Sequence, residues 1–194
     1  MARIRLTLVV LVSWLVFLVF WAVGLGCHGT APPPLLGAFP DFTLTDQNGR
    51  SVRAADLRGH AWVADFIFTR CPSICPLLTE KMAGLAANPK AKDLRFVSFS
   101  VDPSYDTPAV LSAYAAAHHA DWTFLTGPIA TIEAVAVGAK LALERDPAKP
   151  APTAILHGTH FVLVDADGQI RGYTDSSDDD ALARLLADAA TIRR

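Results

Sequence analysis

The chain has 194 residues, 52% of them hydrophobic, and its 17 lysines and arginines stand against 19 aspartates and glutamates for a net charge of −2. It carries no basic run and no basic-aromatic face, which excludes a nucleic-acid partner. Part of the hydrophobicity is gathered at the N-terminus. Leu6–Gly26 reads LTLVVLVSWLVFLVFWAVGLG without a charge. About 20 apolar residues cross a bilayer as a helix, whereas the apolar core of a secretory signal is shorter, about 7–15 residues. Arg3 and Arg5 precede the run and no basic residue follows until Arg50. The positive-inside rule therefore places residues 1–5 in the cytoplasm and everything after the span on the far side. A single-pass anchor over residues 6–26 is expected, holding the rest of the chain in the periplasm at the inner membrane. Cleavage, or lipidation of Cys27 in GLGCHG, are the alternatives. Gly24 stands where a lipoprotein signal usually carries leucine.

Residues 27–38, with Pro32, Pro33 and Pro34, read as an extended spacer. Beyond it, residues 39–194 form one domain, about 160 residues being enough for a core. Without Arg3 and Arg5, 15 basic residues face 19 acidic ones, a net of −4. Asp41–Val52 holds Asn48-Gly49 between alternating residues, a hairpin signal. Ala61–Thr69, rich in aromatic and branched residues, predicts a buried strand. Cys75–Ala87 predicts a helix, with Leu77, Leu78, Met82 and Leu85 near helical spacing. Leu94–Val101 is a second strand, and Thr107-Pro108 caps and opens the next helix. Trp122–Gly127 is a short strand and Pro128–Leu141 a helix. Asp146–Thr153 is a loop by its prolines. Thr159–Thr174 is a strand pair turned at Asp165–Gly168. Ser177–Arg193 closes the chain as a helix, with Ser177 as cap and Asp178–Asp180 at its positive end. Strands alternating with helices give an α/β sheet.

Cys71 and Cys75 sit where the first buried strand hands over to a helix. Outward-pointing N–H groups and the positive helix end favour thiolate, the form that attacks disulfides and binds metals. Residues four apart on a helix share a face. The pair can close a disulfide, hold one soft metal, or be two inert thiols; exported cysteines meet oxidants unless paired or bound. His157 ends the long loop before a strand, and loops at strand ends converge in a parallel sheet. Two thiolates and one imidazole suit copper, Cu(I) above all, and would also hold zinc.

FIFTRCPSICPLLTEKM resembles the copper-binding CPxxCP segment of the Sco/SenC family of membrane-anchored copper proteins. VSFSVDPSYDTPAVLSAY is similar to that family's V-D-P…D-T-P segment, and HGTHFVLVDADGQI to its H-S-T…L-V-D-P-D-G segment. The resemblance runs from about Phe39 to the C-terminus. It implies a thioredoxin-like fold with an inserted β-hairpin, and one copper ion, Cu(I) or Cu(II), held by Cys71, Cys75 and His157. It implies delivery of that copper to the dinuclear site of cytochrome c oxidase subunit II, or to another exported copper protein. The alternative is an enzymatic thiol–disulfide exchange at a redox-active Cys71–Cys75 pair, in which the dithiol reduces the acceptor's disulfide and itself becomes the Cys71–Cys75 disulfide. A copper donor and a thioredoxin-like reductant are further expected partners. Gly158 replaces the family's usual serine and Ala166 its usual proline; neither change removes a ligand.

His160, three after His157, falls on the opposite face of an extended strand. His118 and His119 end a helix, His60 lies in a loop, and His28 stands beside Cys27. Asp102 either shapes the site or forms its turn. Arg70 either favours the neighbouring thiolate or faces solvent.

Overall fold

Alternation of buried and exposed residues marks outer strands such as β2 (Thr43–Asp46), and runs of buried, mostly apolar residues mark inner ones such as β4 (Trp62–Ile67). Residues 31–72, 74–149 and 153–192 are described in a computed structural model, and the domain they build spans Pro32 onward. The expected span over residues 6–26, with Cys27 and His28, lies outside the described residues. Among the described residues no helix is long and apolar enough to cross a membrane.

The strands are β1 (Gly37–Ala38), β2 (Thr43–Asp46), β3 (Ser51–Arg53), β4 (Trp62–Ile67), β5 (Arg95–Ser100), β6 (Thr123–Thr126), β7 (Leu143–Arg145), β8 (Ile155–His157), β9 (His160–Val164) and β10 (Gln169–Asp175). The helices are α1 (Ile74–Ala86), α2 (Pro108–Ala117), α3 (Ile129–Gly138) and α4 (Asp179–Ile192). Eight strands form one sheet in the order β1-β10-β9-β4-β5-β6-β2-β3, and β7 pairs with β8 as a separate hairpin. Only β4, β5 and β6 run parallel, joined by α1 and α2 as crossovers; every other pairing is antiparallel. All six residues of β4 are buried. That explains its continuous WVADFI, since a central strand is covered on both faces.

The core interleaves rings and branched chains. Phe66 of β4 stacks on Phe99 of β5, ring centroids 5.1 Å apart, and Phe39 and Phe42 lean on Phe99. Helix α1 contributes Leu78, Met82 and Leu85 from one stripe, at i, i+4 and i+7.

Local chemistry sets the turns. Asp46 Oδ1 accepts from Asn48 N and Arg50 N, and Gly49 takes a φ of 78°, which closes the β2–β3 hairpin where Asn48-Gly49 predicted it. Thr107 Oγ1 accepts from Val110 N at the head of α2. At α4 the cap is Asp178, whose Oδ1 accepts from Ala181 N, rather than the expected Ser177. The Ser177 hydroxyl is drawn instead to Asp175 Oδ1 at 2.8 Å, because a carboxylate accepts more strongly than a free helix end donates.

Two features escape the sequence reading. The end of the proline-rich stretch is not free: Leu36 N donates to Ile170 O, Arg171 Nε donates to Pro33 O at 3.0 Å, and Gly37–Ala38 pairs with β10. Strands β7 and β8, on either side of the expected loop, pair as a hairpin that sets Leu143 opposite His157.

Candidate metal centre

The last residues of β4 lead into a β-turn, Phe68 to Cys71, closed by Cys71 N donating to Phe68 O at 3.2 Å. Helix α1 then begins, with Cys75 in its first turn. Strand β8 brings His157 from the other side. The three side chains are 8%, 0% and 9% exposed respectively. Cys75 Sγ and His157 Nε2 lie 3.3 Å apart. No disulfide joins Cys71 and Cys75, and the two thiols are close enough for Cys71 to raise the pKa of Cys75. Phe68 stands edge-on to the His157 ring, centroids 5.6 Å apart.

His157 Nδ1 is 3.0 Å from Gly158 O. A carbonyl oxygen can only accept, so Nδ1 carries the proton and the Nε2 lone pair faces Cys75. Burial lowers the His157 pKa, which keeps the ring neutral, the form that binds metals. This is the usual arrangement of a ligating histidine, with its remote nitrogen tied to the backbone.

The thiol expectation needs correction. Burial pushes the Cys75 pKa up, and the Cys71 thiol beside it adds to the rise; a hydrogen bond from the Phe68 backbone opposes both and loses. Desolvation outweighs the helix end here, because the sulfur is wholly enclosed. Cys75 therefore holds its proton until something with greater affinity for sulfur displaces it. Two sulfurs and a neutral imidazole form a soft donor set that fits Cu(I). Among the described residues, no three Cys, His, Asp or Glu side chains already stand at common coordinating distance. The donors are gathered but not closed around one centre.

Other candidates fall away from this point. His160 is exposed and opens β9, a strand of the large sheet, whereas buried His157 ends β8 of the separate hairpin. His118 caps α2 and lies against Tyr114, centroids 4.3 Å apart, while His119 and His60 are exposed. Arg70 does not stand free beside Cys71: its Nε donates to Asp102 Oδ2 at 3.0 Å, and its guanidinium lies 4.2 Å over the Tyr105 ring. The Asp102 carboxylate thus acts on the cysteine turn through Arg70. Its carbonyl also closes its own turn, accepting from Tyr105 N and Asp106 N.

Sequence reading missed two groups. Asp106 is 0% exposed and takes hydrogen bonds from the cysteine turn. Asp65, on β4, is 1% exposed, and neither carboxylate oxygen has a hydrogen-bond partner. The only signal for Asp65 was a carboxylate inside an otherwise apolar strand.

Fold and site together define a thioredoxin-like α/β domain with a buried dithiol facing an imidazole. The SCO1/SenC family pattern matches residues 36–191, and the chain belongs to that family. It is 35% identical over 170 residues to the SCO1 protein homolog of Bacillus subtilis (strain 168), covering 82% of this chain and 86% of that protein. It superimposes with a TM-score of 0.69 and 31% identity on BsSco, a member of the Sco family of cytochrome c oxidase assembly proteins in which a disulfide switch was identified; 84% of this chain and 100% of that one are covered. Bradyrhizobium japonicum ScoI with copper bound matches with a TM-score of 0.64 and 27% identity, over 76% of this chain and 97% of that one.

Proposed function

We propose that this protein binds one copper ion through Cys71, Cys75 and His157 and passes it to an exported acceptor, the dinuclear copper site of cytochrome c oxidase subunit II or another copper protein. The observation that carries this reading is the 3.3 Å approach of Cys75 Sγ to a His157 Nε2 whose partner nitrogen is tied to Gly158 O. The copper-bound relative and the family's place in oxidase assembly support it. Copper is cargo here. Three ligands, two of them on a turn and a hairpin, leave room for an acceptor's cysteine or histidine to enter and take the ion by ligand exchange. The anchor over residues 6–26 holds the domain at the periplasmic face of the inner membrane. Resistance of the chain to carbonate extraction, lost on deleting that segment, tests the anchoring.

The decisive experiment is copper per chain on the reduced Cys27→Ser protein beside Cys27→Ser/His157→Ala. Near-stoichiometric copper that loosens with the second change supports the three-ligand site. Oxidising Cys71–Cys75 must abolish binding, because two electrons and two protons leave the sulfurs that serve as ligands. Retained copper after full oxidation refutes this ligand set.

The contact between the two thiols favours a second reading, thiol–disulfide exchange, in which the same pair reduces the acceptor's cysteines. Such an exchange proceeds without His157. Loss of all reductase activity in His157→Ala would count against a purely dithiol mechanism.

A further inference from the structure

The turn that presents Cys71 has two central residues, Thr69 and Arg70, and each is gripped by an aspartate of the loop between β5 and α2. Arg70 is held by Asp102. Thr69 is held twice by Asp106: its N–H donates to Oδ2 at 3.1 Å and its hydroxyl to Oδ1 at 2.5 Å. Ser100 Oγ donates to the same carboxylate at 2.6 Å. Asp106 N in turn donates to Asp102 O at 2.9 Å, so the two grips belong to one tight turn. The histidine hairpin rests on the same loop. Arg145, on β7 two residues beyond the partner of His157, hydrogen-bonds to Val101 O and to Glu133 of α3.

These contacts differ in their consequences. Arg70 is part-exposed and Tyr105, which it covers, is 46% exposed, so water can replace that grip in part. Asp106 and Ser100 are wholly enclosed and Thr69 is half-buried, so water substitutes for this carboxylate less readily than for the Arg70 grip. Loss of its carboxylate leaves the buried Ser100 hydroxyl without this acceptor and releases the half-buried Thr69 N–H and hydroxyl, two residues before Cys71. The turn can relieve that cost only by shifting, and Phe68 and Cys71, its ends, are the residues that meet His157 and Cys75.

We propose that Asp106 is the positioning residue of the cysteine turn: it fixes where Cys71 Sγ stands relative to Cys75 and His157, and so sets how accessible that sulfur is and how tightly the site holds a soft metal ion. The metal half of this inference rests on the copper reading above; the sulfur half does not.

Two measurements separate them. In Cys27→Ser/Cys75→Ser protein, Cys71 is the one thiol left, and its rate with 5,5′-dithiobis(2-nitrobenzoate) reads its exposure. In Cys27→Ser protein, competition with a Cu(I) chelator reads affinity. Asp106→Ala is expected to speed the thiol reaction about tenfold, since a buried thiol reacts only as its cover opens. It is expected to weaken Cu(I) binding by about 10–100-fold, the usual cost of removing a group that orients ligands. Asp106→Asn, which keeps one acceptor oxygen, should recover part of both losses. Thr69→Ala should show a smaller effect of the same sign and carries the test if Asp106→Ala does not fold. Leu186→Ala in α4 serves as the control for general destabilisation, lowering Tm with both readouts unchanged. Thiol rates within twofold of the parent in both Asp106→Ala and Thr69→Ala overturn the proposal, as does an equal change in Leu186→Ala. A parent that binds no Cu(I), while Asp106→Ala still frees the thiol, overturns the copper reading and leaves the positioning role standing.

Discussion

Asp65→Asn isolates the cost of a carboxylate buried in the central strand. Asp65 is 1% exposed, neither oxygen is in hydrogen-bond geometry with a partner, and burial pushes its pKa from 3.8 to about 7, outweighing the pull of Ser98, registered opposite on β5. The sign follows from linkage. The folded chain holds the proton more tightly than the unfolded one, so this group's contribution is fully present below about pH 4 and is lost as pH rises through 7. At 1.36 kcal/mol per pKa unit, the total is about 4 kcal/mol, an upper limit; roughly 2.5 kcal/mol of it falls between pH 5 and pH 8. Asparagine keeps the shape and does not titrate, so any fixed cost of its amide is the same at both pH values. Urea unfolding of wild type and Asp65→Asn at pH 5 and pH 8 reads the difference. The variant's advantage should grow with pH by roughly 1 M in urea midpoint, for a slope near 2 kcal/mol/M. Parallel pH dependences in the two proteins would refute the reasoning and place a proton-independent partner on Asp65.

Gly138→Ala should cost about 1–3 kcal/mol, because its Cβ would stand 2.4 Å from the Pro40 ring; thermal unfolding reads the loss, and copper affinity should hold. Gly158→Ser, the family's usual residue, should be tolerated: a Cβ there meets only ordinary contacts at 3.7–3.9 Å, so Tm and Cu(I) affinity should stay within experimental scatter, and a clear gain in affinity would show that glycine loosens this loop. Copper uptake should release protons at neutral pH, since burial keeps the Cys75 thiol protonated until metal arrives. The apparent Cu(I) affinity should therefore rise with pH between about pH 6 and pH 8, and a flat profile would mean that Cys75 is not a ligand.

The sequence by itself determined what is local. Periodicity fixed β4, α1 and β5; Asn48-Gly49 fixed a hairpin because glycine takes the positive φ that the turn needs; Thr107-Pro108 fixed a helix start. The cysteine pair and His157 stood out as candidates because their residue types and motif settings carry the chemistry directly. What depends on neighbours distant in the chain was not legible. Gly37–Ala38 is a strand only because β10 offers an edge to pair with. The protonation of Cys75 was misread because a helix end is visible in the sequence while desolvation is a property of everything packed around the sulfur. In the sequence Asp106 stood only as the aspartate of the D-T-P segment, ahead of Thr107 and Pro108. Only the tertiary structure carries it 37 positions away to Thr69, where burial turns its hydrogen bonds into a constraint on Cys71. Covalent neighbours decide propensity, but burial, and with it pKa and the cost of a missing partner, belongs to the assembled fold.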